Sequence, residues 1–116
     1  MQFDVERTTV LGRPALTVRG ELDIATAPRL EEAVESQLSQ QPQSLVVDLT
    51  DTTFLDSSGA RQLARIARRA AGDGVSLQVV CPRTNGPVRL VVDLLELGAL
   101  VPIVESPSLM DGEVRP

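Results

Sequence analysis

The tetrapeptide Asp56-Ser57-Ser58-Gly59 puts one carboxylate and two neighbouring hydroxyls within four positions. Hydroxyls in such a run have two chemical uses. They cap a helix by accepting from a backbone N–H, or they accept a phosphoryl group. Other chemistry is poorly supplied. The chain has no histidine, which removes serine–histidine nucleophilic catalysis. Cys81 is the only cysteine, too few for a disulfide or a Cys/His metal site, and reads as a small buried hydrophobe. No G-x-x-x-x-G-K-[ST] phosphate loop is present. Neither enzymatic activity nor a cofactor is expected.

The flanking elements decide where these hydroxyls sit. Ser44 to Leu49 is a short, apolar, β-branched run that reads as a buried strand. Thr50 to Thr53 reads as a polar connection. From Ala60 to Ala71 the periodicity is helical, with Leu63, Ala64, Ile66, Ala67 and Ala70 on one side. Arg61, Arg65, Arg68 and Arg69 share an opposite arc of roughly 100°. This stripe reads as a solvated face or as a dock for an acidic partner. The Asp56–Gly59 junction thus lies where a strand feeds a helix N-terminus, whose free amides and dipole favour an anion.

Around this centre the pattern is α/β. Phe3–Val10 and Ala15–Arg19 read as an antiparallel hairpin turned at 11–14, after which Gly20 to Ile24 leads out of the sheet. Thr26 and Pro28 signal a helix carrying Leu30, Ala33, Val34 and Leu38 on one face, broken at 40–43. Gly72-Asp73-Gly74 ends the next helix, and Val75–Val80 is a strand that completes a parallel β-α-β unit. Val88 to Leu97 reads as a third helix closed by Gly98, and 101–104 as an edge strand. Glu105 to Pro116 reads as a loose tail.

The bulk numbers agree with one small globular domain. The chain has 116 residues, 42% of them hydrophobic but only 2% aromatic, so valine, leucine, isoleucine and alanine must fill the core. A net charge of −5 argues against direct nucleic-acid binding. No apolar run approaches the ~20 residues of a membrane span, and Met1 to Asp4 lacks the regions of a signal peptide. A cytoplasmic location is expected.

These residues resemble the STAS domain of bacterial anti-sigma factor antagonists. Gly20-Glu21-Leu22-Asp23 with Thr26-Ala27-Pro28 is similar to the family's loop and helix start after the hairpin. Val46-Val47-Asp48-Leu49 through Phe54-Leu55-Asp56-Ser57-Ser58-Gly59 is similar to its central strand and phosphorylation motif. The later strand and helix, 74–80 and 88–100, match as well. The resemblance implies a domain over 1–104 with a small mixed sheet, an N-terminal antiparallel hairpin, a β-α-β unit and helices mostly on one face.

By the same resemblance, an anti-sigma factor that is also a serine kinase binds the unmodified antagonist, releases sigma factor and phosphorylates Ser57. A PP2C-type phosphatase reverses the step. Asp23, Asp56, Ser58, Gly59 and Arg61 would then contact the partner, and the domain would be a monomer or weak dimer. An alternative is a STAS interaction subunit of a transporter-associated or stress-sensing assembly, with no phosphorylation. Ala60-Arg61 stands where the family usually has Leu-Gly. A phosphate on Ser57 would accept from the amides of Ser58 to Ala60 and repel a partner packed beside Asp56.

Overall fold

The computed structural model describes residues 2–107. Its first two strands, β1 (Asp4–Val10) and β2 (Arg13–Leu22), form the antiparallel hairpin. Helix α1 (Ala27–Leu38) follows, then strands β3 (Ser44–Asp48) and β4 (Thr52–Leu55) and helix α2 (Ser57–Gly72). Strand β5 (Ser76–Val80), helix α3 (Gly86–Leu94), a 3₁₀ turn (Leu97–Ala99) and strand β6 (Ile103–Val104) complete the order. The sheet runs β1-β2-β3-β5-β6, with β4 off this path, and every pairing after the hairpin is parallel.

Strand alternation sorts the core by face. Leu16 and Val18, Leu45 and Val47, and Leu77 and Val79 turn to one side. There they meet Leu30, Val34 and Leu38 of α1, Leu63, Ile66 and Ala70 of α2, and Val88 and Val92 of α3. All three helices therefore cover one face. Ala15, Val46 and Val80, the intervening residues, form a separate small cluster with Val10 and Val104. The mixed sheet, hairpin and one-sided helices agree with the α/β expectation.

The hairpin turn is Leu11-Gly12 rather than 11–14, and the edge strand is 103–104 rather than 101–104. Four further boundaries differ from the sequence reading, each for a physical reason. Strand β2 does not leave the sheet at Gly20 but continues to Leu22, because it changes partner. Ala15–Thr17 pair with β3, whereas Gly20–Leu22 pair with β4 across a register shift at Gly20/Glu21. Gly20 makes this possible with φ +93°, and a Cβ there would lie 3.0 Å from both Gln2 O and Phe3 Cα. The supposed connection 50–53 contains the start of β4, tied down where the Thr52 hydroxyl donates to Val18 O at 2.8 Å. Helix α2 begins at Ser57, three residues before its apolar periodicity becomes visible. Helix α3 spans 86–94 rather than 88–97, and Gly98 does not end it. The break is at Glu96, which takes the left-handed conformation at φ 51° and starts the 3₁₀ turn.

Of the expected tail, Glu105 is engaged. Its carboxylate pairs with Arg83 and Arg89, each at 3.4 Å. Positions 108–116 lie outside the described residues.

Candidate functional site

The motif is built on the carbonyl of Leu22, where β2 ends. Asp56 N donates to Leu22 O at 3.4 Å, fixing the last residue before the helix. Asp56 is the N-cap of α2: its Oδ1 accepts from Gly59 N at 2.9 Å, and its carbonyl accepts from Ala60 N at 2.9 Å. Gly59 then passes directly over the same Leu22 carbonyl. A Cβ at Gly59 would sit 2.4 Å from Leu22 O and 2.7 Å from Leu55 Cδ1. Asp56 and Gly59 thus seat the helix, and Gly59 is buried, so any effect it has on a partner passes through the backbone placement it permits.

Ser57 and Ser58 are left at the first two helical positions. Neither serine is the cap. Ser57 is exposed, Ser58 half-buried, and neither hydroxyl has a hydrogen-bond partner among the described residues. The amides that could meet a phosphate are also fewer than the sequence suggested. Gly59 N and Ala60 N are already taken by Asp56, which leaves those of Ser57 and Ser58 without an intrahelical acceptor.

Asp23 organises the neighbouring loop. Its Oδ1 accepts from Ala25 N at 2.9 Å and Thr26 N at 3.1 Å, while the Thr26 hydroxyl accepts from Asp23 N at 2.9 Å. That hydroxyl also donates to Glu21 O at 2.7 Å, so the turn into α1 is locked from both sides. Asp23 is half-buried and its second carboxylate oxygen has no partner among the described residues.

A groove of about 260 Å³ runs from this loop between α1 and α2, lined by Ile24, Pro28, Glu31, Ser58, Arg61 and Arg65. Ile24 at its mouth is 75% exposed, a strong exposure for a large apolar side chain. The arginine stripe divides here. Arg69 is bound, to Glu35 of α1 and to Asp73 one turn on. Arg61, Arg65 and Arg68 are exposed and form no ion pair among the described residues.

One positioning residue escaped the sequence reading. Asn85 precedes α3 and so resembles a cap, yet it makes no capping bond to its own helix. Its side-chain amide donates instead to Leu49 O at 2.9 Å and Thr52 O at 2.8 Å, clamping the β3–β4 turn that leads to the motif. Asp48 holds the same turn through Thr50, whose amide donates to it at 2.9 Å. The signal available was an asparagine in a polar loop, which says nothing about a partner 33 residues away.

Cys81 is buried among apolar side chains, and that burial raises its thiol pKa, with Arg89 opposing the effect. Among the described residues no cluster of three or more His, Cys, Asp or Glu could hold a metal, and no helix is long and apolar enough to cross a membrane.

Comparison with known proteins gives this arrangement its context. The family model for the STAS domain matches residues 4–108. The chain belongs to the STAS domain family. It is 35% identical over 82 residues to the anti-sigma-F factor antagonist RsfB of Mycobacterium tuberculosis, a match covering 69% of this chain and 66%, just under two thirds, of that protein. Among solved structures, an anti-sigma factor antagonist from Mycobacterium paratuberculosis is similar at a TM-score of 0.73 and 26% identity, covering 90% of this chain and 87% of that one. The antagonist SpoIIAA in its unphosphorylated form shares the fold at a TM-score of 0.62 and 17% identity, over 91% of this chain and 90% of its own. The STAS relatives so named are regulators of anti-sigma factors.

Proposed function

We propose that this STAS domain is an anti-sigma factor antagonist whose partner is a serine-kinase anti-sigma factor, and that phosphorylation of Ser57 switches it off. One observation carries the reading. The Ser57 hydroxyl is exposed and unbonded, on a backbone fixed by the Asp56 cap and the Gly59 contact. A kinase would transfer the γ-phosphoryl group of ATP to Ser57 Oγ, releasing ADP and the hydroxyl proton. The product carries about −1.5 to −2 charge beside Asp56. A partner packed over this surface would have to bury that charge unpaired, at a cost of several kcal/mol, whereas about 1.4 kcal/mol already changes affinity tenfold. A PP2C-type phosphatase would restore the binding form. Asp23, Ser58 and Arg61 surround Ser57 in this scheme as the contact rim.

The test is the intact mass of the purified protein after incubation with ATP and extract of its native cells, beside Ser57→Ala. The wild type is expected to gain one phosphate and the variant none. Equal gain in both would move the acceptor to Ser58. No gain in either, with a partner-switching pair active in parallel, would make the domain a constitutive interaction subunit.

A further inference from the structure

Four arginines have a carboxylate counter-charge: Arg19 with Asp4 and Glu6, Arg69 with Glu35 and Asp73, Arg83 with Glu105, and Arg89 with Asp93 and Glu105. The exposed Arg61, Arg65 and Arg68 of α2 have none among the described residues. Arg61 lies in a chain of net charge −5 and still has no such pair among the described residues. It sits four residues after Ser57 and three after Ser58 on the same helix, and it shares a groove wall with Ser58. Side chains at i and i+4 of a helix are neighbours on its surface, about 5–6 Å apart at Cβ.

We propose that Arg61 is the built-in counter-ion of a phosphate on Ser57. Resting on the phosphorylation proposed above, this assigns Arg61 two settings. In the unmodified protein its guanidinium is free at the rim of the α1/α2 groove, available to a partner carboxylate. In the modified protein it folds back one turn and donates to the phosphate oxygens, as arginine does in charge-assisted pairs with phosphates. Modification then acts twice on the surface, adding an anion at Ser57 and withdrawing a cation at Arg61. With the Gly59 and Ala60 amides already committed to Asp56, Arg61 is the nearest charged donor left on the helix. Its placement depends on the exposed arc of α2. Ala60 before it and Gln62 after it are buried, whereas Arg61 is exposed.

The test installs phosphoserine at position 57 during translation, so it does not depend on any kinase modifying Ser57. The ³¹P resonance is titrated with pH in this protein and in the same protein carrying Arg61→Ala or Arg61→Lys. A nearby cation favours the dianion. The second pKa of the phosphate is therefore expected about 0.3 pH units lower with Arg61 than with alanine, the size of an i,i+4 ion pair. Lysine should recover part of the difference, and 0.5 M salt should erase it. An Arg65→Ala control should match the protein with native arginines. Identical titrations with and without Arg61, or a shift that follows Arg65 instead, would overturn the assignment. Failure of the mass experiment above with success here would leave Arg61 a competent counter-ion for a modification the cell does not make; the converse would leave a switch without the clamp.

Discussion

Ser57 is accessible because its neighbours take the structural duties. At this scale the separation of labour is testable. Gly59→Ala would force a Cβ to within 2.4 Å of a backbone carbonyl that cannot move without shifting β2. It should cost about 2–3 kcal/mol or more in urea denaturation, at the upper end of overpacking effects. Asp56 offers the opposite contrast. Asn caps a helix as well as Asp, so Asp56→Asn should keep stability within a few tenths of a kcal/mol, whereas Asp56→Ala should lose about 1 kcal/mol. A full loss in the Asn variant would mean that the carboxylate charge, rather than the cap, holds the turn. The hydroxyls themselves were legible from the tetrapeptide in its strand-to-helix setting. The choice among caps stayed open, because serine and aspartate are equivalent cap residues, and the hydrogen bond from Gly59 N assigns the role to Asp56.

Elements with a strong period were readable, and those held by distant partners were not. Strands β3 and β5 announce themselves as apolar β-branched runs, and α1 and α2 as amphipathic repeats. Strand β4 has four residues, two of them exposed threonine and phenylalanine, and no alternation to detect. It exists because the far half of β2 pairs with it and Asn85 grips its approach. Asn85→Ala would strip the donor from the carbonyls of Leu49 and Thr52, both residues buried. We expect a loss of about 1–3 kcal/mol, with amide hydrogen exchange accelerated first in 50–55. Uniform acceleration across β3 and β5 would show that the clamp supports the whole sheet rather than this one turn. Helix α3 ends before its apolar pattern does because a left-handed Glu96 stops it, and glutamate carries no signal for that conformation.

For the molecule as a whole, the core and the proposed switch residue occupy different places. The helices bury their apolar faces against one side of the sheet, while Ser57 stands at an exposed helix start with no hydroxyl partner among the described residues. A negative charge there should therefore leave the fold alone. Ser57→Asp is expected to keep the unfolding free energy within about 0.5 kcal/mol, as surface substitutions do. It should nevertheless weaken binding to the anti-sigma factor proposed as its partner at least tenfold, a loss of about 1.4 kcal/mol. Calorimetry on one sample and titration on another separate the two effects. A variant that unfolds early would show that the first turn of α2 cannot carry the charge, and the switch would then be a local melting rather than a surface change.

The contact between Gly59 and the Leu22 carbonyl also bears on what a sequence pattern can report. The outer letters of Asp-Ser-Ser-Gly are spelled for the protein's own interior: one closes a turn, the other clears space for a neighbouring strand. Only the inner letters are addressed to the outside. A STAS domain without the modification would still need a capping side chain at the first position and a glycine at the last to fold this corner. The frame of the motif is thus grammar, and any message lies in the serines and in the arginine one turn beyond them.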